Sequence, residues 1–185
     1  QTLINLPQVF STALAISLVP AISEANVKKK FNEIRNITSS GIRVTLLIGL
    51  PCAFGLFTLS RPIINLLYYK NTAESITSTG EILAVLSFGV VFLTLVQSLT
   101  AILQGLGKPL VSVRNLFIGA VVKVFLTFVL TGVESINIKG AAISTLIAYF
   151  IAALLDLISV NRYTKLKLNR KAVFIKPLIS SLGMA

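Results

Sequence analysis

Five uninterrupted apolar runs dominate this sequence, each near the ~20 residues a helix needs to cross the hydrocarbon core of a bilayer. They cover residues 3–22, 42–59, 82–106, 110–130 and 140–160, and a sixth opens at 177 and reaches the last residue, 185. Helices this apolar must bury their surfaces against lipid or one another. Too few polar residues exist to clothe them in water, since 12% of the chain is charged against about 25% in an ordinary soluble domain. A transmembrane β-barrel would show ~10-residue segments of alternating polarity instead. The expected fold is all-α, a polytopic transmembrane helical bundle.

Charge between the runs sets the expected orientation. Lys28, Lys29, Lys30, Arg35 and Arg43 follow the first run, and Lys108 and Arg114 mark the turn between the third and fourth. Arg162, Lys165, Lys167, Arg170, Lys171 and Lys176 follow the fifth, whereas the alternate loops hold only Arg61, Lys70 and Lys139. Lysine and arginine concentrate in cytoplasmic loops, so residues 24–41, 107–109 and 161–176 are expected on that side. The net charge of +11 then belongs with topology and anionic headgroups, and nucleic acid is not an expected partner.

The loops differ in kind. Residues 24–41 have room for a short interfacial helix, and the apolar patch IINLLYY is too short to span, with Tyr68 and Tyr69 suited to an interfacial belt. The turn GLGKP is tight enough to make the third and fourth runs antiparallel neighbours. With Cys52 the single cysteine and no histidine, neither a disulfide framework nor a Cys/His metal site is expected. No nucleophile–base pair, phosphate-cradling glycine loop or carboxylate dyad appears, so neither an enzyme nor a cofactor is expected. Gln1 already lies inside an apolar run and PLISSLGMA opens another, so the chain reads as a piece of a larger membrane protein.

Polar residues inside the spans carry the functional content. Asn5, Gln8 and Thr12 share a helical face in the first run, and Thr94, Gln97, Ser98, Ala101, Gln104 and Gly105 form a stripe in the third. Lipid cannot satisfy amides, so these faces point either at other helices or at a water-filled cavity. Asn5, Gln8, Gln97 and Gln104 are cavity candidates. Small residues at Gly41, Thr45, Gly49 and Ala53, and at Ser144, Ala148 and Ala152, step by four and suit close helix packing. Pro7 and Pro51 interrupt the backbone bonding of their spans and are candidate hinges or static kinks.

Lys123 is the most expensive residue in the chain, because a lysine facing lipid at that depth costs roughly 3 kcal/mol. Asn115, Gly119, Lys123 and Thr127 step by four and form a stripe expected to face the protein interior. Three readings stand: a cavity cation for an anionic substrate, a partner for an acid elsewhere in a larger protein, or a lysine that snorkels. Asn115 shares the cavity expectation. Asp156, the one acid inside a span, differs from Lys123 in depth by roughly 8–14 Å, so no direct ion pair is expected. It reads as a packed or interfacial carboxylate or, more weakly, a coupling-ion site.

Several stretches in order resemble a known family: NLPQVFSTALAISLVPAISEA, LLIGLPCAFGLFTLSRPIINLLY, LTAILQGLGKP, GAVVKVFLTFVL and INIKGAAIST. Together they are similar to the second half of the polysaccharide and lipid-linked-oligosaccharide flippases of the multidrug/oligosaccharidyl-lipid/polysaccharide exporter superfamily. Their order and spacing resemble the stage V sporulation protein B group, relatives of the lipid II flippase. The resemblance implies a partial second lobe over residues 1–185 that needs a missing N-terminal lobe to transport. It implies alternating access in the cytoplasmic membrane of a bacterium and an undecaprenyl-pyrophosphate-linked saccharide as substrate. By the same resemblance Lys123 would meet the pyrophosphate. A multidrug antiporter of the superfamily and a non-transporting scaffold of a cell-wall complex are the rival readings.

Overall fold

The computed structural model describes residues 2–67, 73–131 and 137–164. Regular structure there is helical throughout: α1 (Thr2–Val27), α2 (Phe31–Thr58), α3 (Ser60–Leu67), α4 (Ala73–Gly105), α5 (Pro109–Thr131) and α6 (Asn137–Thr164). Phe31–Thr58, Ile82–Gly105, Pro109–Thr131 and Gly140–Thr164 are long and apolar enough to cross a membrane. In α1 the described apolar stretch is shorter, Ser11–Val27. The all-α polytopic bundle expected from the runs is the fold observed. Tyr68, Tyr69, residues 165–176 and the sixth run lie outside the described residues.

One element differs from expectation. Residues 31–41 form no separate interfacial helix; they are the first turns of α2, and the link from α1 shrinks to a turn at residues 28–30. The reason lies in burial. Ile34, Thr38, Gly41, Ile42 and Thr45 are all buried and follow helical spacing, so the face of the polar segment runs collinear with the face of the span. Continuing the helix buries Ile34, whereas lying along the interface would strand it.

α4 is the hub, touching α1, α2, α3, α5 and α6. The largest fully buried side chains include Leu99, Ile102 and Leu103 of α4 itself, with Ile22 of α1 and Ile42 of α2. Small residues set the approach distances. A Cβ at Gly105 would stand 2.8 Å from the Ile22 Cβ, and one at Gly49 would stand 2.6 Å from the Thr94 hydroxyl. Gly41 faces Leu18, and Gly119 faces the Ala148 carbonyl and Ala152. Ser144, Ala148 and Ala152 are buried, and the Ser144 and Thr127 hydroxyls share a 2.7 Å bond. Pro7 and Pro51 both lie inside continuous helices.

α5 is packed on one side only. Its opposite face presents Phe117, Val124, Phe125 and Phe128 to the exterior, as suits a helix bordering hydrocarbon. Its packed face meets α6 along most of its length, and it meets α4 more sparingly. The sparing contact leaves a space beside α4, between α1 and α5.

Candidate functional site

The spans hold two polar assemblies, one closed and one open. The closed one joins α4, α5 and α6 around Asp156, which is fully buried. The Asn115 amide donates to Asp156 Oδ1 at 2.9 Å and to Ser159 Oγ at 3.0 Å. The Thr100 hydroxyl donates to Asp156 Oδ2 at 3.4 Å and shares a 2.7 Å bond with Ser112. A carboxylate removed from water must collect donors or a countercharge. Among the described residues no cation reaches it, since the ion pairs there are Lys28–Glu24 and Lys30–Glu33 at the exposed basic end. Neutral donors from two other helices supply the bonding, and the junction ties three spans together.

The open assembly is a groove of about 490 Å³ between α1 and α5. These two helices have no Cα pair within 8 Å among the described residues, so α4 forms the floor between them. Thr12, Ile16 and Val19 line one wall, Leu116 the other, and Gln97, Thr100 and Gln104 rise from the floor. Gln104 is exposed and Gln97 half-buried. Three buried side-chain polar atoms lack a partner among the described residues, Ser11 Oγ, Thr38 Oγ1 and Gln97 Oε1. Of these, only Gln97 borders the groove. Thr100 belongs to both assemblies, touching the groove and the junction.

Lys123 is exposed, which corrects its expected interior position. The four-residue stripe winds about 40° per step around a helix of 3.6 residues per turn, which sets Lys123 in angle between Gly119 and Thr127. Asn115, Gly119 and Thr127 reach α6 through Ser159, Ala152 and Ser144, while Lys123, on the same stripe, stays exposed. Seven residues separate it from Leu116, close to two turns, so it shares the groove-facing side of α5 about 10 Å farther along. Lys123 and Asp156 form no ion pair. The Asn115–Asp156 bond puts that carboxylate level with a residue two turns from Lys123, about 12 Å away along the axis.

Asn115 is the second correction. Expected at the cavity, it is buried and committed to Asp156 and Ser159, so it holds the bundle together. The α4 stripe also divides. Ser98 bonds Thr45 of α2 at 2.6 Å, Thr94 faces Gly49 and Gly105 faces α1, leaving Gln97, Ala101 and Gln104 at the groove. Asn5 and Gln8 belong to the first turns of α1, and their side chains lie outside those described. Thr100, Ser112 and Ser159 went unread in the sequence. Nothing there marks a span hydroxyl as the partner of an acid 56 residues away.

Comparison with known proteins places this arrangement in context. The family model described as lipid II flippase MurJ matches residues 1–182. The chain is 30% identical over 85% of its length to the membrane protein YabM of Bacillus subtilis. It is 28% identical over 92% of its length to stage V sporulation protein B of the same organism. It is 24% identical over its whole length to lipid II flippase MurJ of Bacillus subtilis. The matched regions are 28%, 32% and 34% of those three proteins, so the chain spans about a third of their length or less.

Proposed function

This chain belongs to the lipid II flippase MurJ family, and from that premise we propose that it builds one lobe of a flippase for a lipid-linked saccharide. The cargo headgroup, joined to its polyprenyl tail by a pyrophosphate, would cross the cytoplasmic membrane along the groove between α1 and α5. The carrying observation is Gln97 on the floor of that groove, whose buried amide oxygen has no partner among the described residues and would reach an occupant by a turn of its side chain. In hydrocarbon, an unsatisfied buried amide costs several kcal/mol. A groove that keeps one suits an occupant rich in hydroxyl and amide donors. Lys123, on the groove side of α5, suits the negative charge of the pyrophosphate, because an ammonium at low effective dielectric attracts an anion more strongly than in water.

Mechanism follows from the packing. α4 and the Asp156 junction hold α1, α4, α5 and α6 as one body, while the α1–α5 gap stays open for a second lobe to close over. Rocking of that lobe would present the groove to each side of the membrane in turn, with Pro7 and Pro51 as candidate bending points. The basic end would face the cytoplasm. No bond of the cargo is made or broken. Likeness to stage V sporulation protein B extends the reading to spore-cortex precursors.

A second reading has its own observation. Thr100 touches the Asp156 carboxylate and the groove at once, which suits a coupling cation at Asp156. Its signature would be Asp156→Asn keeping cargo binding and losing dependence on a cation gradient.

The test uses the full-length protein in proteoliposomes and follows leaflet exchange of a labelled undecaprenyl-pyrophosphate saccharide. Lys123→Met at matched folding is expected to lose most of the exchange. Equal exchange by wild type and variant removes Lys123 from the cargo path. No exchange by wild type under any gradient overturns the flippase reading in favour of a scaffold.

A further inference from the structure

Two turns at the basic end of the bundle are built alike. At the end of α1, Lys29 N–H bonds the Asn26 carbonyl at 3.0 Å and Lys30 N–H bonds Ala25 at 3.0 Å. At the end of α4, Gly107 N–H bonds Gln104 at 2.9 Å and Lys108 N–H bonds Leu103 at 2.9 Å. Both are the paired closing bonds of a Schellman cap, whose pivotal residue adopts positive φ. That φ is 71° at Gly107 and 53° at Lys29. The α4 turn uses the residue that tolerates this backbone. The α1 turn puts a lysine there, in a region that disfavours side chains.

The strained position is also the uncommitted one. Lys28 is paired with Glu24 and Lys30 with Glu33, while Lys29 and Lys108 are exposed and without an acid partner among the described residues. The Asn26 amide donates to the Leu106 carbonyl at 3.4 Å, latching the two turns side by side. Each turn joins the negative end of one helix to the positive start of the next, so the macrodipoles offset and the lysines set the local charge. The turn of Lys108 continues directly from Gln104, which lines the groove.

We infer that Lys29 and Lys108 form a rim at the mouth of the groove that seats the diphosphate of a lipid-linked cargo before its headgroup moves inward. This inference rests on the groove reading above and adds to it a loading position. Two free ammonium groups complement a group carrying two or more negative charges, and the tail of such a lipid stays in the leaflet beside the turn. A singly charged bulk phospholipid fits the pair less well and has no reason to need the groove.

The test reads equilibrium binding of undecaprenyl pyrophosphate to the full-length protein in phosphatidylcholine nanodiscs, separately from transport. Lys29→Gly removes the charge and relieves the backbone, so its melting temperature should hold or rise. Its affinity should fall about fivefold, the contribution of one lysine near a membrane surface. Lys108→Gln should act alike, and Lys29→Arg should retain binding. Unchanged affinity in a stable Lys29→Gly protein overturns the rim. So does equal competition by phosphatidylglycerol, which would make these lysines ordinary interfacial charges. Binding that follows this pattern in a protein that flips nothing would uphold the rim and sink the flippase reading.

Discussion

The Asp156 junction and the α1–α5 groove are made of similar side chains at similar depth, yet one is closed on itself and the other is not. In the junction the Asn115 amide has two acceptors and the carboxylate two donors, drawn from three helices. Across the groove floor, Gln97 carries a buried oxygen with no protein partner among the described residues. Both arrangements sit where lipid offers no hydrogen bonds. A polar group that is satisfied there contributes to the fold, whereas one left open either weakens the protein or awaits an occupant. Amides and hydroxyls stand on both sides of that line, and partnership separates Asn115 from Gln97.

The largest expected effect tests the closed side. Asn115→Leu strips the shorter bond from Asp156 and leaves a buried carboxylate with Thr100 alone. The expected loss is about 2–4 kcal/mol of stability, read as a lower unfolding midpoint of the full-length protein in detergent. Asn115→Leu with Asp156→Leu should recover most of it, since removing both partners strands neither. A neutral single variant would mean that the junction does not hold the helices, and the contrast with the groove would fail.

How much of this could be read beforehand follows the same division. The spans were legible because an apolar run of membrane length has few alternatives, and no tertiary partner needs to be known. The early start of α2 was hidden because KKKFNEIRN looks interfacial until Ile34 and Thr38 are found to face the core. Gly41, Gly49, Ala148 and Ala152 were legible as small residues, although Leu18, Thr94 and Gly119 opposite them were not. Asn115 and Gln97 could not be told apart, since each is an amide in a span. Which one finds an acid depends on a residue 41 positions away on another helix. Lys123 shares its stripe with Gly119 and Thr127, which pack on α6, so spacing alone could not show that it stays exposed.

The next effect tests whether the groove is a true gap and not general looseness. The α1–α4 seam beside it is tight, with a Cβ at Gly105 meeting Ile22 Cβ at 2.8 Å and the Val19 carbonyl at 3.0 Å. Neither atom is the free end of a flexible side chain, so Gly105→Leu must push the helices apart. It should cost about 1–3 kcal/mol. At Gly55 a Cβ would meet nothing within 4 Å, so alanine should be accepted there within about 0.5 kcal/mol. Equal tolerance at both glycines, in the same unfolding assay, would mean the bundle is loose throughout and the groove is not a distinct feature.

The smallest expected change in stability is the sharpest for function. Gln97→Leu replaces a half-buried amide by a somewhat shorter apolar side chain. Were the amide part of the fold, its loss would resemble that of Asn115. Because its oxygen is unpartnered, the substitution removes a desolvation cost and should leave stability unchanged or raise it by about 1 kcal/mol. Flipping of a lipid-linked saccharide should fall nonetheless, because the groove would lose an acceptor for the cargo. Gln97→Glu should restore part of the exchange if an acceptor is what matters. A destabilised Gln97→Leu protein would show that the amide already has a structural partner, and the groove would then join the junction as scaffold. A stable variant with full exchange would leave the open amide without a role in transport, and Gln104 and Lys123 would have to carry the cargo alone.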